Sequence, residues 1–90
     1  MFHNLNSIIF PDSLPKIDLH GLDRVTAQLM IRDFICDSKK QKQSFILIIH
    51  GVGSGILYKT TMEVLKRHCD VLDFKQLNMN HGCTIVHIKV

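Results

Sequence analysis

Two histidines each close an apolar run and each is followed by glycine, in "IDLHG" at 17–21 and "LIIHG" at 47–51. Imidazole is the side chain suited to proton transfer near neutral pH, so His20 and His50 are the first candidates for chemistry. Asp18 precedes His20 by two residues. On an extended chain residues i and i+2 share a face, which sets a carboxylate beside the imidazole. Such a neighbour orients the ring and raises its basicity. An Asp18–His20 pair of this kind can act as general base or acid in phosphodiester cleavage.

His50 leads into a second feature. Glycines 51, 53 and 55 alternate through "HGVGSG". Lacking Cβ atoms, they let backbone N–H groups approach a phosphate closely. Ser54 lies inside the loop and Lys59 one helical turn beyond it. Gly51, Gly53, Ser54 and Gly55 therefore make up the loop's candidate phosphate-contacting set. The loop is not a dinucleotide fingerprint, because the third glycine would fall at Ile56, and it lacks the Gly-Lys-[Ser/Thr] of a phosphate-loop NTPase. A single histidine at a strand end is more commonly a capping or packing residue, and a glycine loop can be only a tight strand-to-helix turn. The repeat of the pattern carries the inference. His3, His68, His81 and His87 do not join it by spacing, and no metal ligand set is assigned.

The elements that must position these residues follow from periodicity. Residues 16–19 make a short strand bounded by Pro15 and by His20-Gly21. Ala27, Met30, Ile31, Phe34 and Ile35 then recur at helical spacing, with Asp23 as N-cap and the polar run 37–43 as the end. "SFILII" at 44–49 is continuously apolar, as expected of a central parallel strand covered on both faces. After the glycine loop, Leu57, Thr61, Val64, Leu65 and His68 mark the inner face of a second helix. Residues 71–79 form a strand with a bulge, Asn80-His81-Gly82 a hairpin turn, and 83–90 a final strand. The order strand-helix-strand-helix-strand-strand, with a right-handed crossover between the first two strands, predicts an α/β two-layer sandwich. It has a four-stranded mixed sheet and two helices mainly on one face. Ligands in open α/β sheets bind beyond the carboxyl ends of parallel strands, where both histidines and both helix N-termini would sit.

Ninety residues allow one domain. Residues 1–15, with Pro11, Pro15 and the apolar knot Ile8-Ile9-Phe10, read as an arm or linker, and 16–90 as the domain; the knot is expected to pack onto it. Eleven Lys+Arg against eight Asp+Glu give a net charge of +3, a weak bias toward phosphates with no dense basic stripe. No apolar run is long enough to span a bilayer, and no signal-peptide pattern opens the chain. The three cysteines, an odd number with no C-x-x-C, read as small core residues in a reducing compartment. A cytoplasmic protein is expected.

"IDLHG", "IIHGVGSG" and "GCTIVHIKV", in this order, resemble the Smr (small MutS-related) domain. Its hallmarks are L-D-L-H-G near the start, an H-G-x-G loop and a final G-x-T-x-V-like strand. The resemblance spans 16–90. It implies a fold similar to the C-terminal domain of translation initiation factor three, and a nucleic-acid-binding domain with nicking or RNA-cleaving endonuclease activity. It matches Asp18 and His20 to the element implicated in cleavage, and His50, Gly51 and Gly53 to the loop lining the nucleic-acid site. The chain departs from the family in three places. Val52 stands where the loop often has lysine, Tyr58 where an arginine often follows the loop's leucine, and Thr26 where an acidic residue is common; Lys59, next to Tyr58, is the candidate that could replace the arginine at a phosphate as a point charge, without its bidentate fork.

The leading expectation is thus an endonuclease whose partner is a DNA or RNA backbone. With RNA no cofactor is needed, since His20 can take the 2′-hydroxyl proton. With DNA, water is the nucleophile and Mg2+, held by Asp18, would help. The alternative is a non-catalytic nucleic-acid or protein interaction module, one form of which is the C-terminal domain of a MutS-like ATPase. The missing loop lysine favours that alternative. A protein partner or a larger parent polypeptide fits either reading, and a membrane fits neither.

Overall fold

The computed structural model describes residues 14–52, 55–77 and 82–90. Strand β1 (Lys16–Asp18) leads into helix α1 (Arg24–Lys40) and strand β2 (Phe45–Ile49). Helix α2 (Ile56–Arg67) and strands β3 (Val71–Gln76) and β4 (Cys83–Ile88) complete the chain. The sheet order is β1-β2-β4-β3. β1 runs parallel to β2, and β4 lies antiparallel to both β2 and β3. This is the expected two-layer sandwich. The expected bulge in β3 falls at Leu72, where the register with β4 shifts between Val71 and Asp73. The hairpin turn at Asn80-His81 and the apolar knot at Ile8-Ile9-Phe10 lie outside the described residues.

Each helix is built by its spacing. Ala27, Ile31 and Ile35 are fully buried along one face of α1, and Thr60, Thr61, Val64 and Leu65 along α2. Both buried threonines return their hydroxyls to the carbonyls four residues back, at 2.8 Å, so they enter the core satisfied. α1 runs further than its apolar period, through Asp37 to Lys40. Lys39 and Lys40 occupy its last turn, where the helix dipole favours cations. Lys39 also reaches the carboxylate of Asp70 at 3.0 Å, fastening the end of α1 to the start of β3.

Alternation along β2 and β4 divides two cores. Leu19, Ile46, Ile48, Val86 and Ile88 meet both helices. Leu47, Cys83 and Ile85 form a second cluster on the other face, with Leu14, Phe45, Ile49 and Leu77 packed against it. The continuous apolar run of β2 is thus explained by burial on both sides. The cysteine expectation needs correction. Only Cys83 is in a core, while Cys36 and Cys69 are exposed, because α1 and the α2–β3 junction turn them outward; all three are free thiols.

The Asp23 carboxylate accepts a 2.7 Å bond from the Thr26 N–H, the expected N-cap of α1. That bond holds its carboxyl below the ordinary carboxylate range. Asp23→Ala should lower the thermal midpoint at neutral pH. The difference from wild type should vanish in acid, as pH falls below about 3.9 and through the lower folded value, because the cap is then protonated in both states. Thermal unfolding followed by circular dichroism across that range checks this.

Candidate nucleic-acid interface

The parallel pairing of β1 and β2 sets Asp18 opposite Ile49, and the Leu19 N–H donates to the Ile49 carbonyl at 2.8 Å. One step on, Leu19 stands beside His50 and His20 beside Gly51. A Cβ built on Gly51 would lie 3.7 Å from the His20 Cβ, so the His20 side chain stands beside Gly51. Both histidines therefore sit at the same end of the sheet, as the repeated pattern requires. Their faces differ. Ile17 and Leu19 point to the helices, which sends Asp18 and His20 to the opposite side. Ile46 and Ile48 also point to the helices, and His50 continues their series. The offset of one residue between the two strands separates the histidines.

His20 is exposed, with 79% of its side chain accessible, and Asp18 beside it has 55%. One carboxylate oxygen, Oδ1, accepts from the His20 backbone N–H at 3.0 Å and lies 3.3 Å from the ring Nδ1. The backbone bond, helped by the ring, holds the Asp18 carboxyl below its ordinary value despite some desolvation. A carboxylate only accepts, so the contact places the ring proton on Nδ1 and leaves Nε2 as the free basic nitrogen. The strand ends at Asp18, and the turn that follows, in which the Asp18 carboxylate accepts the N–H two residues on, holds the imidazole oriented and facing solvent.

His50 is the reverse case. It is 2% exposed. Its Nδ1 lies 3.1 Å from the Gly51 carbonyl and its Nε2 2.9 Å from the Thr84 hydroxyl. The carbonyl can only accept, so Nδ1 donates, and Nε2 of the neutral ring accepts from Thr84. Tyr58, in the first turn of α2, covers the ring edge-on with centroids 5.2 Å apart. Burial pushes the His50 pKa down, partly offset by the Gly51 carbonyl. The ring is thus neutral, bonded at both nitrogens and turned away from solvent. The geometry gives it the work of joining β2, β4 and the loop rather than of meeting a phosphate directly.

A neutral buried imidazole has a stability consequence. Below the ordinary histidine value of about 6.5 the unfolded chain takes up a proton that the folded ring does not bind. Stability should fall as pH drops through that value toward the lower folded one. His50→Gln should flatten this part of the profile, a difference that thermal midpoints measured at intervals from about pH 7.5 to 5.5 would detect.

The glycine loop is partly committed to the fold. The backbone N–H groups of His50 and Gly51 both donate to the Gly82 carbonyl, at 2.8 and 2.9 Å. The Gly51 N–H is therefore engaged by the β4 end rather than aimed outward, which corrects the expectation that it offers itself to a phosphate. Gly51 and Gly55 take positive φ, +77° and +85°, which explains glycine at both. Gly53 and Ser54 lie outside the described residues. Of the two helix N-termini, α1 is already filled by the Asp23 carboxylate. That of α2 begins at Gly55 with no side-chain cap, which leaves it the better place for an anion. Lys59 does not line up with His20; it faces a cleft between the starts of the two helices, with Leu22, Asp23 and Arg24.

Thr84, Gly82 and Tyr58 belong to this end of the sheet and were not among the candidates. Thr84 had a signal, since it shares the inward parity of Val86 and Ile88 in the final strand. Cys83 lies on the same face as Asp18, and its burial, helped by the Asp18 charge, pushes its thiol pKa up. Among the described residues, His68, Cys69 and Asp70 bring donor atoms within 4.8 Å of one another. They lie at the far end of the sheet. Lys39 holds Oδ1 of the Asp70 carboxylate, and the Asp70 N–H donates to His68 Nδ1 at 3.1 Å, so one donor atom on each of these two residues is already engaged.

A four-stranded mixed sheet backed by two helices, with an Asp-x-His element at the end of its edge strand and a glycine loop at the end of the next, defines a compact class of α/β domain. The chain belongs to the Smr domain family, whose model matches residues 17–89. It is 34% identical over 77 residues to endonuclease MutS2 of Clostridium botulinum strain Eklund 17B, a match covering 82% of this chain and 10% of that protein. Endonuclease MutS2 of Alkaliphilus oremlandii is 31% identical over the same length, with the same shares covered. The chain therefore spans about a tenth of the length of these curated relatives. The crystal structure of the Smr domain of Thermus thermophilus MutS2 superposes with a TM-score of 0.83 at 26% identity, covering 86% of this chain and all of that one. YdaL, a stand-alone small MutS-related protein from Escherichia coli, gives 0.79 at 19% identity over 83% of this chain and 64% of its own, a likeness of fold alone.

Proposed function

We propose that this domain binds nucleic acid across the carboxyl ends of β1 and β2 and cleaves its phosphodiester bonds, with His20 as the base. The observation that carries the reading is the Asp18–His20 pair, exposed and oriented with Nε2 free. On RNA, Nε2 takes the proton of a 2′-hydroxyl. That oxygen bonds to the adjacent phosphorus, the bond to the 5′-oxygen breaks, and the leaving oxygen receives a proton from the imidazolium or from water. The products are a 2′,3′-cyclic phosphate and a 5′-hydroxyl. The uncapped start of α2 favours the negative charge that gathers on the phosphorane. His50 acts through position, fixing the loop beneath that end.

On DNA the nucleophile is water, and a magnesium ion would supply its activation. Asp18 is the one acidic side chain of the pair, and its Oδ1 already serves His20. A single remaining carboxylate oxygen fits such an ion weakly, so the residues favour the 2′-hydroxyl route. A second reading, binding without cleavage, draws support from Val52 and Tyr58. Val52 is 82% exposed at the loop, where a cation would strengthen phosphate contact.

The free thiols suit a reducing compartment such as the cytoplasm, and relatives ten times as long suit a role within a larger polypeptide. No helix of the described residues is long and apolar enough to cross a membrane. Incubation of the purified chain with labelled RNA and with supercoiled plasmid, each with and without EDTA, separates the readings. RNA cleavage in EDTA is the expected result. Salt-dependent binding with neither substrate cut would leave the binding module. Val52→Lys should tighten binding and steepen its salt dependence by about one phosphate equivalent.

A further inference from the structure

The cleft between the starts of α1 and α2 encloses about 710 Å³, within the range of pockets that hold small ligands. Its floor is apolar, from Leu22 and Leu57, and Ile56 stands at its lip with 57% of its surface exposed. Its rim is polar: Arg24 and Glu63 face each other at 3.5 Å, and Lys59 lies nearby. Both helices start at the end of the sheet that carries His20, so the cleft opens at the same end as the candidate base.

We propose that this cleft receives an unpaired nucleobase of a single-stranded nucleic acid whose backbone passes over β1 and β2. This inference rests on the nucleic-acid reading above and adds what the site holds besides phosphate. The chemistry of the lining matches a base better than a phosphate. An apolar floor accepts a flat ring face, which a phosphate would not enter without losing its hydration. A guanidinium and a carboxylate at the rim match the acceptors and donors of a base edge. The Arg24–Glu63 pair is long and largely solvated, so it opens at little cost to let that edge in. Exposed Ile56 extends the apolar lining to the lip of the cleft, and the loop that precedes α2 carries an exposed valine at 52 rather than a cation. In a duplex the ring faces are stacked and the edges paired, so only an unpaired base reaches the floor.

Three labelled probes of equal length test this by fluorescence anisotropy with the full chain: a mixed-sequence single strand, its duplex, and an abasic single strand with the same backbone. The single strand should bind roughly five- to a hundredfold more tightly than the abasic strand, the usual value of seating one base. The duplex should bind like the abasic strand. Ile56→Ser, at an exposed position, should bring single-strand affinity down toward the abasic value and leave the abasic affinity unchanged; Glu63→Gln should reduce single-strand affinity in the same direction. If the single strand and the abasic strand bind equally, or if Ile56→Ser weakens both alike, the base pocket is overturned while the backbone interface stands. If no probe binds, the nucleic-acid reading itself fails and the pocket with it.

Discussion

Replacing His20 with alanine lowers RNA cleavage by roughly 10²–10⁴-fold, the contribution of a positioned general base, and leaves binding almost unchanged. The expectation follows from exposure. A side chain 79% accessible supports little of the fold, so its loss is read in the chemistry and not in the melting curve. Asp18→Asn should give a smaller loss of rate. The amide oxygen can still accept from the backbone N–H and from Nδ1, but the negative charge beside the imidazolium that forms in the transition state is gone. Single-turnover cleavage of a labelled RNA, with binding measured separately, distinguishes these effects. Equal rates in wild type and both variants would assign the activity to other residues or to a contaminant.

The second large effect falls on stability. His50→Ala leaves the buried Thr84 hydroxyl without its partner, at a cost of about 1–3 kcal/mol. Lost packing against Tyr58 adds to that. For a domain of this size the thermal midpoint should fall by roughly 10 °C. Thr84→Val should produce a similar fall by orphaning Nε2. The double variant should lose much less than the sum, because the two side chains share one bond. Below its lowered midpoint, His50→Ala should keep far more of the cleavage rate than His20→Ala does. A rate loss as deep as that of His20→Ala, with the fold intact, would instead put His50 in the chemistry.

Much of this arrangement was legible in the residues themselves. The period of Ala27, Ile31 and Ile35, the Asp23 cap and the apolar run of β2 are local signals, and the elements formed where those signals stand. The Asp18–His20 contact was legible because a spacing of two residues is local, although it is a turn at the end of β1, rather than the strand itself, that closes it. The division of labour between the histidines was not. "IDLHG" and "LIIHG" look equivalent, and only the pairing of Asp18 with Ile49 places them on opposite faces. That register is a long-range matter, fixed by the cores that Leu19, Ile46 and Ile48 enter. The same holds for the Gly51 N–H, whose partner, the Gly82 carbonyl, is supplied from the far side of a hairpin. The end of α1 and the exposure of Cys36 and Cys69 also depended on neighbours. Lys39 found Asp70, thirty-one residues away, and helical rotation carried Cys36 outward.

The central claim is that His20, aligned by Asp18, draws a proton from a 2′-hydroxyl without a metal. The most direct measurement is the chemistry of the cut ends. A labelled RNA and the same strand with one 2′-deoxy nucleotide at the preferred cleavage position are incubated with the protein in EDTA. Cleavage of the first to a 2′,3′-cyclic phosphate and a 5′-hydroxyl, with the second left intact at that position, is the predicted result. A 5′-phosphate product, cleavage at the deoxy position, or activity only with added Mg2+ would contradict it.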